Sequence, residues 1–363
     1  MLRSATLDDL DTLVDLENIS FDSDGFTRRV FRYLLTEAHG DTLVYMNAEK
    51  LCGYVVVLFH SGTSLARLYS LAVHPECRQQ GIGVKLLQAA EKLALENDCI
   101  SLRLEVRTDN DSAVQLYRKL GYRQFGKYHD YYKDHMDAMR FEKRLLHSRP
   151  DMARVPYYEQ TLRFTCGPSA LLMAMNALNP DMVPNRAQEL RIWREATSIF
   201  MTSGHGGCGP YGLALSAWHR GFGVDIFVND ESTLLVDTVR SEEKKEVMRV
   251  VQQDFLDELT ELKIDIQYRA LYLQELQTKF DAGGIPLVLI SSFRMYNERN
   301  PHWVVVTGFD DKYIYLHDPF VDYETDRSPL DSINMPIRKT DFEHMARYGR
   351  SQQKAAIILW QQQ

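Results

Sequence analysis

The sequence lacks the features that mark membrane, secreted and nucleic-acid-binding proteins. No apolar run approaches the roughly 20 residues that a transmembrane helix needs, and no signal-peptide segment precedes the acidic residues Asp8 and Asp9. The five cysteines are odd in number and contain no Cys-x-x-Cys spacing, which argues against a disulfide framework and a zinc site. The net charge of −8 argues against binding through broad phosphate neutralisation. We therefore expect a cytoplasmic protein with no nucleic-acid partner, no membrane segment and no metal.

The length of the chain and the placement of prolines predict two domains. The chain has 363 residues, and a domain commonly holds about 100 to 200. Pro150 and Pro156 interrupt regular structure somewhat before the midpoint of the chain. We predict a first domain over 1–146, a linker over 147–156 and a second domain over 157–363. No internal repeat is evident, and the sequence leaves the oligomeric state open.

A glycine-containing turn joins a strand to an amphipathic helix in the first half. The apolar patterns predict a strand over 65–73, a helix over 85–95 and another strand over 100–106. Gly81 and Gly83 in the intervening turn let the backbone approach a ligand because they carry no Cβ. Successive N–H groups that open a helix attract anions, and a pyrophosphate would suit this turn. An ordinary strand-to-helix turn is the alternative interpretation.

This segment is part of a longer motif. The order of strand, Arg-x-x-Gly-x-Gly turn, helix and strand continues into Leu104-Glu-Val-Arg107, Asn110, Ala113 and Leu116-Tyr117. With these residues the first domain resembles the GNAT superfamily of acetyl-CoA-dependent N-acetyltransferases. Within it the match is to protein N-terminal acetyltransferases of the ribosomal-protein-alanine type. The resemblance implies a mixed central sheet flanked by helices, acetyl-CoA as cofactor, and a peptide or protein with a free amine as partner.

The resemblance also implies roles for individual residues. Glu105 would be the general base that takes a proton from the substrate amine, and Tyr117 the general acid that protonates the leaving thiolate. Asn110 would contact the coenzyme A arm. Tyr131 and Tyr132 would clamp a peptide substrate, with packing in a strand as the alternative. The other cofactor-binding residues that the resemblance implies are Leu71, Ala72, Val73, Arg78, Gln79, Gln80, Gly81, Ile82, Gly83 and Val84.

Both catalytic assignments in the first domain have structural alternatives. Glu105 could be a strand residue paired with Arg103 or Arg107. Tyr117 could be a core aromatic residue with a satisfied hydroxyl.

A cysteine at a predicted helix start is the prominent feature of the second half. Cys166 follows Gln160 by six positions and precedes Gly-Pro-Ser-Ala and an apolar run. A helix N-terminus favours thiolate over thiol, because its N–H groups and dipole attract negative charge. Gln160 could place an amide donor where an oxyanion would form. A buried structural cysteine is the alternative.

The stretch Thr202 to Gly212 is the most glycine-rich part of the chain. A phosphate cradle is one interpretation, but the Lys-Ser/Thr of a P-loop is missing. A metal pair of His205 and Cys208 has too few ligands. We favour a tight loop beside the cleft, in which Gly206 and Gly207 allow close approach of a substrate backbone. Cys208 as the nucleophile is the remaining alternative.

A predicted hairpin supplies partners for Cys166. His302 begins one apolar strand, and Asp318 follows the next strand after the turn Asp310-Asp-Lys312. Because residues near the open ends of a hairpin's two arms lie close together, we expect His302 and Asp318 to meet. Asp318 would hold the imidazole in the tautomer that can accept a proton from the thiol.

With Gln160, Cys166, His302 and Asp318 in this order, the second domain resembles the papain-like cysteine peptidases. The branch is the one that trims double-glycine leader peptides for export transporters. The joining of an acetyltransferase to such a domain resembles a bacterial architecture. The resemblance implies a two-domain α+β protein whose second domain has a papain-like fold.

We therefore expect a bifunctional enzyme that is both an N-acetyltransferase and a cysteine peptidase. Two alternatives stay open. The second domain could only bind peptide for the acetyltransferase, or the first could sense acyl-CoA and regulate a peptidase. The sequence names neither the amine that is acetylated nor the bond that is cut, nor whether the two sites share a substrate.

Overall fold

The computed structural model describes residues 1–21, 25–146, 150–200, 206–236, 239, 241–325, 327–349 and 351–362. It divides into two compact units, Met1–His147 and Ser148–Gln363. Across these described ranges, no helix has the length and apolar character that crossing a membrane requires.

The first unit is built on one seven-stranded sheet with helices packed on it. Its strands are β1 (Leu2–Ser4), β2 (Gly40–Asn47), β3 (Lys50–Phe59), β4 (Leu65–Val73), β5 (Ser101–Arg107), β6 (Arg123–Tyr128) and β7 (Ala138–Arg144). Its helices are α1 (Leu10–Ser20), α2 (Arg28–Thr36), α3 (Ile82–Glu96) and α4 (Asp111–Lys119). The strand order is β1-β2-β3-β4-β5-β7-β6. Apolar clusters on both faces of the sheet form the core.

The two central strands of this sheet part from each other halfway along. β4 and β5 run parallel and pair only from Leu65 with Ser101 to Arg67 with Arg103. Beyond that point β4 stays paired with β3 as far as Val73, while β5 stays paired with β7. The sheet therefore forks between β4 and β5.

The second unit has a larger sheet covered by helices. Its strands are β8 (Asp151–Met152), β9 (Thr197–Phe200), β10 (Gly206–Cys208), β11 (Phe222–Val228), β12 (Ile266–Gln267), β13 (Ile285–Ser291), β14 (Pro301–Phe309), β15 (Tyr313–His317), β16 (Met335–Arg338) and β17 (Ala355–Gln361). Its helices are α5 (Cys166–Leu178), α6 (Arg186–Ala196), α7 (Pro210–Trp218), α8 (Glu242–Glu261), α9 (Leu273–Asp281), α10 (Phe293–Tyr296), α11 (Pro329–Ser332) and α12 (Lys339–Met345).

The main sheet of this unit has the order β12-β11-β17-β13-β14-β15-β16, and β8 pairs with β14. β9 and β10 form a separate two-stranded ladder. Apolar clusters cover both faces of the main sheet, and α5 belongs to one of them. β8 lies within the segment 147–156 that the sequence predicts to be a linker.

The charged segment 241–263 contains the single helix α8. Ser241 caps it by accepting a hydrogen bond from Lys244 N–H. Leu259 is fully buried, whereas Val247 and Val250 on the same helix are 40% and 60% exposed. The helix therefore packs on the core along one face and leaves other apolar residues at the surface.

Candidate active sites

The turn after β4 has the backbone geometry of an anion site. Gly81 is the N-cap of α3 with a φ of 72°, and no side chain caps this helix start. Gln79 also has a positive φ, 62°. No atom lies within 4 Å of the position that a Cβ on Gly81 would take, so the space in front of this residue is open. The first N–H groups of α3 have no side-chain cap, and their role as a pyrophosphate site stays a prediction.

Two side chains of the same turn make hydrogen bonds to backbone carbonyls within or next to the turn. Arg78 Nε donates to Val73 O at 3.3 Å, and Gln80 Nε2 donates to Glu76 O at 3.4 Å. Their contacts with the cofactor stay predictions, as do those of Gln79, Ile82, Gly83 and Val84.

The end of β4 presents its residues alternately to the two faces of the sheet. Leu71 and Val73 pack with the cluster that contains α3, whereas Ala72 is buried in the cluster on the other face. Asn110 is the N-cap of α4, because its Oδ1 accepts from Ala113 N–H at 3.1 Å and from the Ser112 hydroxyl at 3.0 Å. The cap accounts for this asparagine on structural grounds, and its contact with coenzyme A stays a prediction.

Glu105 lies on β5 just past the fork, with a side chain only 5% exposed. Its Oε2 accepts from Arg67 Nε at 3.1 Å, and Arg67 is equally buried. Of the two arginines that the sequence offers as partners, Arg103 pairs with Glu142 and Arg107 pairs with acidic residues of nearby loops. Arg67 is a site residue that sequence reasoning missed.

Tyrosines surround this ion pair. Tyr131 OH accepts from Arg67 Nη2 at 3.1 Å, and the ring of Tyr132 packs edge-on against that of Tyr131 at 5.1 Å. Both lie in the loop between β6 and β7 and not in a strand. Burial, with smaller effects of Tyr131 and Glu105, raises the pKa of Tyr132. Tyr117 is buried near them, and burial raises its pKa to about 12, so its hydroxyl keeps its proton at neutral pH.

Cys166 opens α5 in the second unit and is half-buried. The helix start packs tightly: a Cβ on Gly167 would lie 3.1 to 3.3 Å from atoms of Leu213, Trp303 and Cys208. Glycine at 167 therefore lets the helix approach β14 closely and brings the thiol to the residues at the start of that strand.

His302 and Asp318 meet as the hairpin of β14 and β15 predicts. His302 Nε2 lies 2.6 Å from Asp318 Oδ1, and Asp318 is fully buried. Burial lowers the pKa of His302, but the Asp318 carboxylate and the Cys166 thiolate outweigh it and raise the pKa to about 10. Burial raises the pKa of Cys166, but His302 and the Trp303 N–H outweigh it, so the net pKa is lowered. The geometry thus favours a thiolate beside an imidazolium.

Asp318 has two further donors that the sequence did not reveal. Its Oδ2 accepts from the Tyr296 hydroxyl at 2.6 Å, and its Oδ1 accepts from Phe320 N–H at 2.8 Å. Together with His302 these donors engage both carboxylate oxygens.

Gln160 is 8% exposed and lies in the loop that leads to Cys166. Its backbone N–H donates to Pro319 O at 2.8 Å, and its Nε2 donates to Leu162 O at 2.8 Å. Its Oε1 is buried without a hydrogen-bond partner. One of the two Nε2 hydrogens of Gln160 is thus used within the loop. The role of Gln160 as an oxyanion donor stays a prediction, and it depends on the second Nε2 hydrogen.

A buried carboxylate organises this loop. Glu189 on α6 is fully buried and accepts hydrogen bonds from Tyr158 OH at 2.9 Å, from Thr161 N–H at 2.8 Å and from the Thr165 hydroxyl. Sequence reasoning missed Glu189, which lies 23 positions after Cys166.

The described part of the glycine-rich stretch, residues 206–212, packs against the start of the Cys166 helix through Cys208. Gly206 and Gly207 belong to β10; the Gly206 carbonyl accepts from Trp193 Nε1 at 2.7 Å, and the Cys208 carbonyl accepts from Trp303 Nε1 at 2.9 Å. Burial raises the pKa of Cys208. Contact of Gly206 and Gly207 with a substrate stays a prediction, and His205 lies outside the described residues.

Comparison with known proteins agrees with this two-part organisation. A family model described as Acetyltransferase (GNAT) family matches residues 8–122, and one described as Peptidase_C39 like family matches residues 155–360. A Bacillus subtilis (strain 168) protein named as a [ribosomal protein bS18]-alanine N-acetyltransferase is 32% identical over 133 residues, which are 37% of this chain and 87% of the relative. N-alpha-acetyltransferase 30 of Schizosaccharomyces pombe is 29% identical over 33% of this chain and 81% of the relative. The crystal structure of Ard1 from Thermoplasma volcanium matches 40% of this chain and 97% of its own at 29% identity, with a TM-score of 0.38.

The fold and the two sites define a two-domain protein with an acetyltransferase unit followed by a unit with a cysteine-peptidase-like site. The chain belongs to the Peptidase_C39 like family, and its first unit belongs to the GNAT acetyltransferase family. The predictions of the fold class, of N-acetyltransferase activity and of acetyl-CoA as cofactor are confirmed by this membership.

Proposed function

We propose that this chain acetylates the α-amine of a peptide or protein at the fork of its first unit and hydrolyses a peptide or amide bond through Cys166 in its second. The observation that carries the second activity is the Cys166, His302 and Asp318 arrangement, in which the pKa of the thiol is lowered and that of the imidazole is raised. The curated relatives named for N-terminal acetylation support an α-amine as the substrate of the first.

At the acetyltransferase site, acetyl-CoA supplies the acetyl group as a thioester. The N–H groups at the start of α3 bind and orient the pyrophosphate. Glu105 accepts the proton that the ammonium group must lose before the amine can attack, directly or through a water. Tyr117 donates its hydroxyl proton to the departing thiolate, which is possible because burial keeps that hydroxyl protonated. Arg67 fixes the position of the Glu105 carboxylate.

At the thiol site, the Cys166 thiolate attacks the carbonyl carbon of the scissile bond. The His302 imidazolium gives its proton to the leaving amine, and a thioester remains on Cys166. His302 then accepts a proton from water, whose oxygen attacks the thioester; the acid is released and the Cys166 thiolate and His302 imidazolium are restored. The Cys166 N–H and the second Nε2 hydrogen of Gln160 stabilise the oxyanion in both steps.

A recognition module that only binds peptide is the other candidate for the second unit, and the unpartnered Oε1 of Gln160 favours it as an acceptor for a peptide N–H. Such a module needs neither a lowered thiol pKa nor the His302–Asp318 contact. Because both features are present, hydrolysis is the better-supported proposal.

Mass analysis of a peptide library incubated with the enzyme, with and without acetyl-CoA, tests both activities. We expect acetylated peptides only with acetyl-CoA and shortened peptides under both conditions. The Glu105→Gln variant removes the first class of product and Cys166→Ala the second. Shortened peptides that persist with Cys166→Ala would refute the thiol mechanism, and acetylation that is unchanged with Glu105→Gln would refute the assigned base.

A further inference from the structure

The Asp318 carboxylate is held from two sides, and the mechanism above uses only one of them. Oδ1 faces His302 Nε2 at 2.6 Å, and Oδ2 accepts from the Tyr296 hydroxyl, also at 2.6 Å. Asp318 has no solvent exposure. Because Asp318 is fully buried, no water can replace a lost protein donor at Oδ2. The Tyr296 hydroxyl is therefore the donor that satisfies this oxygen.

The Tyr296 ring is itself fixed by neighbours. Tyr296 is the last residue of α10, and the Arg327 guanidinium lies 4.6 Å from the centre of its ring. Arg327 Nη2 also donates to the Met295 carbonyl at 2.6 Å, which secures the guanidinium to the same helix. The rings of Phe320 and His302 meet the tyrosine edge-on at 5.1 and 6.3 Å. The direction of the hydroxyl is thus set by packing before any substrate binds.

We propose that Tyr296 is a positioning residue of the thiol site, which holds the Asp318 carboxylate in the orientation that keeps Oδ1 on His302 and so maintains the thiolate of Cys166. This inference rests on the proposed function of the second unit. The Tyr296 ring meets the His302 ring edge-on, whereas its hydroxyl donates to Asp318 Oδ2, so loss of the hydroxyl alone acts through Asp318.

The physical reason is the freedom of a carboxylate to rotate. A carboxylate held through one oxygen can turn about its terminal torsion, whereas one held through both oxygens cannot turn without breaking a short hydrogen bond. Without Tyr296, Oδ2 would be a buried acceptor with no partner, and the carboxylate would rotate or take a proton to relieve it. Either change weakens the charge that stabilises the imidazolium.

The groups around the tyrosine let it act over a wide pH range. The titratable and charged side chains that face it are Asp318, His302, Arg327 and Tyr157. Burial and the Asp318 carboxylate raise the pKa of Tyr296 well above its ordinary value. The Tyr296 hydroxyl therefore remains protonated, and remains a hydrogen-bond donor, at every pH at which the imidazolium and thiolate pair exists.

The test is the rate of Cys166 alkylation by iodoacetamide as a function of pH, followed by mass analysis of the peptide that contains Cys166. In the wild-type chain we expect a reactive thiolate well below the pH at which a free thiol titrates. In Tyr296→Phe, which keeps the ring, we expect the profile to move up by about one pH unit, a roughly tenfold loss of rate on the acid limb.

Tyr315→Phe is the matched control. Tyr315 is a buried tyrosine on β15 of the same hairpin, and its hydroxyl donates to Asp310 Oδ2 at 2.6 Å, at the end of the hairpin away from Cys166. We expect this variant to lower the melting temperature and to leave the alkylation profile unchanged. Equal shifts in both variants, or an unshifted profile in Tyr296→Phe, would overturn the proposed role of Tyr296. Neither result would overturn the thiol mechanism itself.

A second measurement separates this inference from the proposed function. An ordinary thiol profile in the wild-type chain would overturn both, because there would be no activated thiol to maintain. In an Asp318→Asn background we expect Tyr296→Phe to cause no further shift, since its effect passes through the carboxylate. An additive shift there would contradict the inference while leaving the thiol mechanism intact.

Discussion

Arg67 and Glu105 form a buried ion pair across the fork of the first sheet, with Arg67 Nε 3.1 Å from Glu105 Oε2. Arg67 is the last β4 residue that pairs with β5, and Glu105 is the second β5 residue beyond that pairing. The fork therefore does two things at once. It separates the ends of β4 and β5, and it places a cation from one arm against the proposed base on the other.

Replacement of Arg67 by Gln should move the pH dependence of acetyl transfer. A buried carboxylate without its counter-charge favours the protonated form, so the acid limb of the rate profile should shift to higher pH. A shift of one pK unit would lower the rate about tenfold on the acid limb, whereas the rate well above the pKa of the carboxyl should change little. The measurement is coenzyme A release with a peptide substrate between pH 5 and 9.

Arg103→Gln is the control for that experiment. Arg103 lies opposite Arg67 in the parallel ladder, is just as buried and pairs with Glu142. Loss of one partner of a buried pair costs about 3–5 kcal/mol, so we expect both variants to lose stability. Only Arg67→Gln should move the profile, and a shift of the same size in Arg103→Gln would show that Arg67 has no special relation to the base.

Replacement of Gly81 by Ala should weaken acetyl-CoA binding in addition to destabilising the fold. Its φ of 72° is in the left-handed region, where a Cβ costs roughly 1–2 kcal/mol. The new methyl group meets no protein atom within 4 Å but stands in the open space before the α3 N-terminus. We expect acetyl-CoA affinity, measured by calorimetry, to fall by about tenfold, equivalent to 1.4 kcal/mol.

Gly121→Ala provides the comparison for the cofactor turn. Gly121 has a φ of 88° and the same open space around its Cβ position, but it follows α4 and not the cofactor turn. The two variants should lose similar stability in thermal unfolding. Equal losses of acetyl-CoA affinity would show that the Gly81 turn is not the pyrophosphate site.

The thiol site predicts a linked pH dependence of reactivity and stability. The pKa of His302 is raised from 6.5 to about 10, so protonation of this imidazole stabilises the folded chain fully below pH 6.5, and that stabilisation is lost as the pH rises through about 10. The lowered pKa of Cys166 contributes in the opposite sense, with stability that is lost as the pH falls through the folded value.

His302→Ala should abolish this pattern. Without the imidazolium, burial remains and raises the pKa of the Cys166 thiol, so alkylation at pH 7 should slow by at least about tenfold, one pK unit. Rates of Cys166 alkylation and unfolding free energies, both measured from pH 5 to 10, check the two halves of this prediction. An unchanged alkylation rate in His302→Ala would contradict the pairing.

Cys208 should be inert in the folded chain. Burial raises its pKa, and it lies behind the thiol helix, with its Cβ 3.3 Å from the position of a Cβ on Gly167. Cys208→Ala should retain peptide hydrolysis and Cys166 alkylation within a factor of about two, since it removes one buried sulfur and no hydrogen-bonded side chain of the site. Loss of hydrolysis with Cys166 still reactive would revive Cys208 as the nucleophile.

Much of the candidate site followed from local pattern. The meeting of His302 and Asp318 follows from hairpin geometry, because positions beside the open end return to each other whatever the rest of the sheet does. The Cys166 helix start and the left-handed Gly81 turn are similarly local, since a few neighbouring residues fix each conformation. For the same reason the bounds of β4 agree with the strand that the apolar pattern predicts over 65–73.

The residues that sequence reasoning missed are long-range partners. Arg67 reaches Glu105 from 38 positions away and Tyr296 reaches Asp318 from 22 positions away. Glu189 fastens the loop before Cys166 from a different helix. Arginines, tyrosines and glutamates are common on surfaces, so their spacing along the chain did not distinguish these three.

The sequence by itself determined which chemical groups the protein has and in what order: a cofactor turn and a Glu105–Tyr117 pair, then a thiol, an imidazole and a carboxylate. Local conformation is enough to specify those motifs, because turns, helix starts and hairpins depend on near neighbours. Only the tertiary structure decided which side chains hold them in place. Strand register set Arg67 against Glu105, and the packing of α10 and α6 brought Tyr296 to Asp318 and Glu189 to the Cys166 loop. Those contacts join distant parts of the chain, and burial, which gives them their strength, exists only once the fold is complete.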